Sequence, residues 1–467
     1  MAACFAKSSR VLLISVNSEA EPYPVYPLAL DYLRAPLESA GCQTRVWDCQ
    51  FALSQGLNLE DMLHDYKPDV ALVSIRNADN NDSVNIKDYL PQAFALVETL
   101  HAGSNAKIVL GGSGYSLFPE EILKRSQADC GVAGSGEYVI LSLLERLLTG
   151  KDVADIAGVV YRNGTSCAVT PPGPAPAINA SPARDLELMK FYWQQGGIPG
   201  VQLKRGCPFK CIYCTYPLLE GGAFQRKAAV AAVAAVNEIQ QIYETCGVDQ
   251  FFMVDSVLNA IPSLLGQFAA ELCRRKLPVR WTGYFMPKHL TLDDLLLYKA
   301  SGLDGIEFGV DTLAEPLLEA WGKGFDVADF EQSIQACQDA AVPHSMYLIF
   351  GGPGETSATL ETTIARAQAC SHAVVFGFFG MRIYPRTRLH DIALQSGVLD
   401  SNDDLLQPRF FISPQLDLAA TTQRLNELGR LLHWLVAGPS LQKKHRAAAR
   451  LRSRGRKGAL WQELLPP

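Results

Sequence analysis

The stretch Cys207-Pro-Phe-Lys-Cys211-Ile-Tyr-Cys214 places three cysteines within eight residues. This spacing offers three thiolates to one metal centre from a single short loop. Structural zinc sites take four protein ligands, usually as two separated pairs, and no second cysteine pair stands nearby. Three thiolates instead suit a four-iron four-sulfur (4Fe–4S) cluster that leaves one iron open for a small molecule. A redox thiol cluster and a chance grouping of core cysteines are the alternatives.

Around this loop, strand-like and helix-like patterns alternate from Gly200 to about Tyr384. Helical patterns fall between the strands, for example at Ala228–Thr245 and Leu264–Arg275. Six strand–helix units predict a partial (β/α)6 barrel whose site lies at the carboxyl ends of the strands. The predicted strands are Gly200–Leu203, Phe251–Val254, Val279–Gly283, Gly305–Phe308, Ser345–Phe350 and Val374–Ile383.

The first 150 residues show a separate alternation, which predicts a Rossmann-like, doubly wound α/β sheet. Helices are predicted at Tyr26–Ser39 and from about Glu137 to Leu148, and His64 is predicted to lie exposed on a further helix. A small hairpin is predicted around Asn163-Gly164. The predicted strands are Arg10–Val16, Gln43–Asp48, Val70–Ile75, Ile108–Leu110 and Cys130–Ala133.

The loops at the carboxyl ends of these strands are polar and rich in glycine, and none carries the G-x-G-x-x-G fingerprint. A dinucleotide ligand is therefore disfavoured. The alternative for this sheet is a unit used only to dock the substrate. The loops are Val16–Pro27, Arg76–Asn85, Gly111–Ser116 and Gly134–Glu137.

The cysteine triplet, with the aromatic Tyr213 before its third cysteine, closely resembles the signature of the radical SAM superfamily. The resemblance implies that Cys207, Cys211 and Cys214 hold a 4Fe–4S cluster whose open iron chelates S-adenosylmethionine (SAM). One electron, from a donor such as flavodoxin or ferredoxin, then releases a 5′-deoxyadenosyl radical. Tyr213 is expected to stack near the adenine.

The first 150 residues resemble the cobalamin-binding domain that precedes the barrel in many radical SAM enzymes. Small residues would let the backbone approach the corrin. The loop after the first strand has no histidine, so bound cobalamin is expected to lack a histidine lower ligand. The expected cobalamin contacts are Asn77, Asn80, Gly111, Gly112, Ser113, Gly134, Gly136 and Glu137.

Polar residues also stand at the ends of the barrel strands, and a structural polar contact is the alternative for each of them. In the family, the residues after the second strand contact the amino group of SAM. Arg382 is expected to pair with a carboxylate of SAM or of the substrate. Tyr216, Tyr284 and Tyr347 are candidates to line the pocket. The expected SAM-site residues are Asp255, Ser256, Asn259, Glu307, Gly351, Gly352 and Arg382.

Length and composition set outer bounds on the function. The chain has 467 residues, a net charge of −6 and twelve cysteines without framework spacing. We expect reduced thiols, a cytoplasmic location, no membrane span and no nucleic-acid partner. Near the carboxyl end, one amphipathic helix is predicted at Ala419–Val436. The basic stretch Lys443–Lys457 is predicted as a solvated helix face or a disordered tail.

Four regions are predicted: a cobalamin-binding domain at 1–150, a hairpin and proline-rich linker at 151–195, a radical SAM barrel at 196–400 and a helical region with a basic tail at 401–467. The resemblance implies a C-methyltransferase that cleaves SAM reductively and passes a methyl group from methylcobalamin to a substrate carbon. Ring formation, rearrangement or oxidation without methyl transfer, methylation by a polar route, and a non-catalytic sensor remain alternatives. The substrate, a small molecule, lipid or peptide, is not defined by the fold.

Overall fold

The chain forms two seven-stranded sheets. Most strands of each sheet come from one of the two segments in which strand and helix patterns alternate. The computed structural model describes residues 9–21, 23–171, 181–226, 231–370 and 372–465. The proline-rich part of the predicted linker lies outside these described residues, and the four predicted domain boundaries stay predictions.

The first sheet is parallel over five strands and ends in an antiparallel hairpin, in the order β2-β1-β3-β4-β5-β6-β7. Alternate residues of β1 enter different cores, with Leu12 in one and Val11 in the other, so both faces are covered. All five predicted strands and the hairpin are present. The strands are β1 (Arg10–Ser15), β2 (Gln43–Asp48), β3 (Val70–Ser74), β4 (Lys107–Gly111), β5 (Cys130–Val132), β6 (Val159–Asn163) and β7 (Ser166–Val169).

Several helices of this first unit begin at side-chain caps or prolines. Asp48 and Asn58 cap the second and third helices through their side chains. The helix predicted from Glu137 begins at Ile140, behind a short 3-10 turn at Gly136–Tyr138. The helices are α1 (Leu28–Ser39), α2 (Cys49–Gln55), α3 (Leu59–Tyr66), α4 (Leu90–Gly103), α5 (Ser113–Leu117), α6 (Pro119–Arg125) and α7 (Ile140–Thr149).

The second sheet is a parallel partial barrel in the order β18-β15-β14-β13-β12-β11-β8. The six predicted strands are present, and a seventh joins the last of them through β15–β18 pairing. Two small antiparallel pairs, β9–β10 and β16–β17, lie outside it. The strands are β8 (Gly200–Val201), β9 (Lys204–Arg205), β10 (Gln225–Arg226), β11 (Gln250–Met253), β12 (Arg280–Phe285), β13 (Leu303–Asp311), β14 (His344–Phe350), β15 (Ala373–Phe379), β16 (Met381–Arg382), β17 (Phe410–Phe411) and β18 (Trp434–Val436).

Three barrel helices open with a capping box, at Thr291, Asp326 and Thr356. None of the helices in the described ranges has the length and apolar character that crossing a bilayer requires. The helices of this part are α8 (Leu186–Gln194), α9 (Tyr216–Glu220), α10 (Ala231–Cys246), α11 (Pro262–Arg275), α12 (Leu292–Ala300), α13 (Glu315–Ala320), α14 (Val327–Asp339), α15 (Ser357–Ala369), α16 (Arg388–Gln395), α17 (Leu418–Leu428) and α18 (Pro439–Ser453).

Residues 418–465 differ from the prediction. The predicted helix Ala419–Val436 ends at Leu428, and the apolar residues after it form strand β18 instead. The basic stretch lies largely in helix α18, in agreement with the helix face that was one of its two predicted forms. Lys444 Nζ donates to the carbonyls of Gly429 and Leu431 at 3.2 and 2.7 Å. One charge of the basic stretch therefore fastens helix α18 to the segment before β18.

Candidate active site between the two sheets

The three cysteines lie on the loop that follows β8 and β9. Cys207 is buried, whereas Cys211 and Cys214 are half-buried. Burial raises the pKa of the Cys214 thiol to about 12 and also raises the pKa of Cys211, and repulsion among the neighbouring thiolates adds to both shifts. A positively charged centre is needed to hold these thiols ionised, which is what an iron–sulfur cluster supplies.

The spacing of the thiols also bears on the kind of centre. In the described part of the chain, no three His, Cys, Asp or Glu side chains converge closely enough to hold a metal ion. Three thiolates on one short loop are the protein ligands of a 4Fe–4S cluster that leaves one iron open.

Asp255, Ser256 and Asn259 anchor backbone segments in this structure. The Asp255 carboxylate is fully buried and accepts hydrogen bonds from the backbone N–H groups of Leu203 and Lys204 at 2.9 and 2.8 Å. Asn259 bonds to the backbone of Met286, and Ser256 Oγ donates to a carbonyl of the cysteine loop. The predicted contact of these three residues with SAM stays a prediction.

At the end of β13, Asp311 adopts a left-handed conformation with φ of +68° beside a break in the strand register. Its Oδ2 accepts hydrogen bonds from Tyr213 and from Lys323 Nζ, both at 2.5 Å. Tyr213 is thus tied through its hydroxyl to the barrel strand below the cysteine loop. Its predicted stacking on adenine stays a prediction.

The predicted glycine turn after β14 is tight for two physical reasons. Gly351 has φ of +94°, and its N–H donates to the buried carboxylate of Glu355. A Cβ on Gly352 would lie 2.3 Å from the Trp321 ring, so only glycine fits. Burial raises the pKa of Glu355 to about 7.

A cavity of about 520 Å³ opens at the carboxyl ends of β3, β4 and β5 and extends to the cysteine loop. This is where ligands bind in open parallel sheets. A Cβ on Gly112 would lie 2.6 Å from the Ile75 carbonyl oxygen, so the glycine permits the close loop packing that shapes the wall. The predicted cobalamin contacts in the lining are Asn77, Gly111, Gly112, Ser113, Gly134, Gly136 and Glu137.

Asn80 does not line this cavity, because its side chain holds its own loop together through Asn85 and Lys87. Glu137 lines the cavity and pairs with Arg205, another lining residue, which stands two positions before Cys207. Arg76, which follows β3, is exposed toward the cavity and has no ion pair among the described residues. No histidine is among the described residues that line the cavity. The lining residues that the sequence patterns missed include Tyr32, Gln202 and Arg205.

Arg382 is buried against the first unit. Its Nε donates to Asp79 Oδ2 at 2.9 Å, and the two side chains are 4% and 1% exposed. Its Nη2 donates to the Leu405 carbonyl at 3.0 Å. This side chain therefore joins β16 to the loop after β3, and its predicted pairing with a carboxylate of SAM or of the substrate stays a prediction.

Inside the barrel, Glu307 lies below the strand ends and accepts hydrogen bonds from Tyr347 Oη at 2.6 Å and Trp461 Nε1 at 3.1 Å. Burial raises the pKa of its carboxyl. Tyr347 stacks on Phe376 with ring centroids 4.6 Å apart, and Tyr284 lies edge-on to Tyr347 at 5.9 Å. Tyr284 is 36% exposed. The barrel interior thus presents an aromatic wall with one acidic group behind it.

The comparisons with known proteins agree with these two parts of the site. The family model described as the radical SAM superfamily matches residues 201–367, and the model described as the B12 binding domain matches residues 15–144. The chain belongs to the cobalamin-dependent radical SAM enzymes. Its cofactors are a 4Fe–4S cluster, SAM and cobalamin.

Three similar proteins show the degree of resemblance in sequence and fold. Tryptophan 2-C-methyltransferase of Streptomyces laurentii is 26% identical over 447 residues, which cover 81% of this chain and 73% of the relative. The radical SAM methyltransferase TsrM of Kitasatospora setae, solved with cobalamin and a 4Fe–4S cluster, has the same fold, with a TM-score of 0.84, 22% identity and coverage of 98% and 97%. The anaerobic magnesium-protoporphyrin IX monomethyl ester cyclase of Rubrivivax gelatinosus is 26% identical over 56% of this chain and 48% of its own.

Proposed function

We propose that this enzyme methylates a carbon atom of a planar, nitrogen-containing aromatic small molecule held inside the barrel. The aromatic wall of Tyr347, Phe376 and Tyr284 carries the proposal, because flat rings pack well against stacked and edge-on aromatic side chains. The tryptophan methyltransferase among the relatives points to the same substrate class.

The Glu307–Tyr347 pair supplies a route for a proton out of the substrate. Tyr347 Oη donates its hydrogen to Glu307, so its lone pairs are free to accept a hydrogen bond from a substrate N–H. As that proton moves to the tyrosine oxygen, the phenolic proton moves to Glu307, whose raised pKa favours its neutral form. Loss of the N–H proton makes a ring carbon more nucleophilic, which favours the polar route over a substrate radical.

Each remaining part of the site has a separate task in this proposal. Cys207, Cys211 and Cys214 would hold the cluster, and the cavity lined by Gly112 and Gly134 would hold cobalamin. The bound cofactors supply activation of SAM and transfer of its methyl group. Trp461 holds the Glu307 carboxylate from the side opposite Tyr347. An external electron donor of the flavodoxin or ferredoxin class and a cytoplasmic location belong to the same proposal.

The test is anaerobic reconstitution followed by mass spectrometry of products formed from SAM and a substrate panel. We expect tryptophan or a related indole to gain one methyl group, with an equal amount of S-adenosylhomocysteine and no matching 5′-deoxyadenosine. An aliphatic amino acid such as leucine should not react. Stoichiometric 5′-deoxyadenosine would contradict the polar route, and methylation of leucine alone would contradict the substrate class.

A matched pair of variants tests the proton route. Tyr347→Phe removes the hydroxyl and should lower kcat about 100-fold or more, as for loss of a general base. Tyr298→Phe is the control, because Tyr298 lies on helix α12 and its ring packs in the core away from Glu307. Loss of its hydroxyl should leave kcat within about twofold of the wild-type value. Equal kcat values for the two variants would contradict a proton relay through Tyr347.

A further inference from the structure

A short segment after α13 forms the platform on which the cysteine loop rests. The N–H of Ile212 donates to the Trp321 carbonyl at 3.0 Å. Gly322 has φ of +70°, and a Cβ there would lie 2.4 Å from the Lys210 carbonyl oxygen. The backbone of this segment therefore touches the loop between Cys207 and Cys214 directly, without room for a side chain at position 322.

The next residue, Lys323, brings a buried positive charge to this contact. Its side chain is 7% exposed, and Nζ donates to the Gly309 carbonyl at 3.0 Å and to Asp311 Oδ2 at 2.5 Å. Asp311 is the residue with left-handed φ at the break in β13. That strained conformation aims its carboxylate at the lysine and at Tyr213, inside the cysteine motif.

The charge lies beside the cysteine motif. Lys323 directly follows Gly322, whose backbone touches Lys210, and its Nζ shares the Asp311 carboxylate with the hydroxyl of Tyr213, which stands between Cys211 and Cys214. Charges buried this deeply are poorly screened, so their effect on a neighbouring site is larger than that of a surface pair. Nothing in the family signature requires a lysine at this place, since the segment lies more than a hundred residues beyond the cysteines.

We propose that Lys323 raises the reduction potential of the cluster held by Cys207, Cys211 and Cys214, and that Asp311 lowers it. Reduction adds one electron to the cluster, and a fixed positive charge beside Cys211 and Cys214 stabilises that extra negative charge. The carboxylate of Asp311 acts in the opposite sense. Lys323 acts through the cluster and is therefore a tuning residue.

The experiment is a potentiometric titration of the full-length, reconstituted protein with dithionite, followed by electron paramagnetic resonance of the reduced cluster. Lys323→Met should shift the midpoint to a more negative potential, whereas Lys323→Arg should stay near the wild type. Lys288→Met is the matched control, because Lys288 also pairs with an aspartate, Asp329, at 2.9 Å but touches no part of the cysteine loop. Its midpoint should not move.

A second substitution, with an expected shift of the midpoint in the opposite direction, distinguishes an electrostatic effect from a folding defect. Asp311→Asn keeps a residue that tolerates left-handed φ and should shift the midpoint to a less negative potential. Iron and sulfide contents equal to the wild type are required for each comparison. Unchanged midpoints in fully loaded Lys323→Met would overturn the proposal. If that variant does not hold iron, the sign of the Asp311→Asn shift decides: a shift upward supports the proposal, and no shift or a shift downward overturns it.

Discussion

Replacing Arg382 with methionine should destabilise the protein strongly, because this buried side chain joins strand β16 to the loop after β3. The arginine and its partner Asp79 are 4% and 1% exposed, and Arg382 also donates to the carbonyls of Ile383 and Leu405. Its loss would leave a buried carboxylate without its cation and carbonyls without a donor. Breaking a buried pair in this way costs about 3–5 kcal/mol.

The assay is urea unfolding of the apoprotein, followed by both circular dichroism and tryptophan fluorescence, with Arg424→Met as the matched control. Arg424 pairs with Glu361 at 2.9 Å, but the two side chains are 34% and 51% exposed. Solvent screening limits such a pair to about 0–1 kcal/mol. The free energy of unfolding should therefore fall far more for Arg382→Met than for Arg424→Met.

A double variant separates the loss of the pair from the cost of the stranded charge. Adding Asp79→Asn to Arg382→Met removes the uncompensated carboxylate. The double variant should therefore lose less free energy of unfolding than the sum of the losses in the two single variants. Equal losses in Arg382→Met and Arg424→Met, within about 1 kcal/mol, would refute the reasoning. They would show that water reaches this contact and screens it.

Three further outcomes are expected. Gly352→Ala places a Cβ 2.3 Å from the Trp321 ring and should lower the free energy of unfolding by about 1–3 kcal/mol. Gly266→Ala, in helix α11 with nothing within 4 Å of the new Cβ, should raise it by up to about 1 kcal/mol. Thermal unfolding of the two variants measures the difference. Since burial raises the pKa of Glu355 to about 7, its ionisation favours the unfolded state, and stability should fall as pH rises from about 4.5 to 7; Glu355→Gln should flatten that slope in urea unfolding. Cys207→Ser should lose the bound iron while keeping the far-ultraviolet circular dichroism spectrum, and full iron content would contradict its role as a ligand.

The features that the sequence predicted well are local ones. The cysteine motif is a spacing within eight residues, and each parallel strand of the first sheet is a short apolar run. The aromatic residue of that motif was also found locally, although its hydroxyl partner Asp311 lies 98 residues away. Local patterns therefore predicted the fold of both units, but not the contacts between distant residues.

The sequence could not show contacts that distant chain segments supply. The apolar periodicity of Ala419–Val436 fits a helix, yet pairing with β15 brings Trp434–Val436 into the sheet. The carboxylate that pairs with Arg382 lies 303 residues earlier in the chain. The N–H groups that bond to the Asp255 carboxylate lie 52 and 51 residues earlier.

The hydrogen bond between Trp461 and Glu307 links residues 154 positions apart, and this has a consequence for the order in which the protein can assemble. The first sheet lies within residues 10–169, so a chain leaving the ribosome can close it early. The barrel interior gains β18 and then Trp461 only after residues 434 and 461 have been synthesised. Until then the buried carboxyl group of Glu307 lacks one of its two donors, so the barrel interior can be completed only late in synthesis.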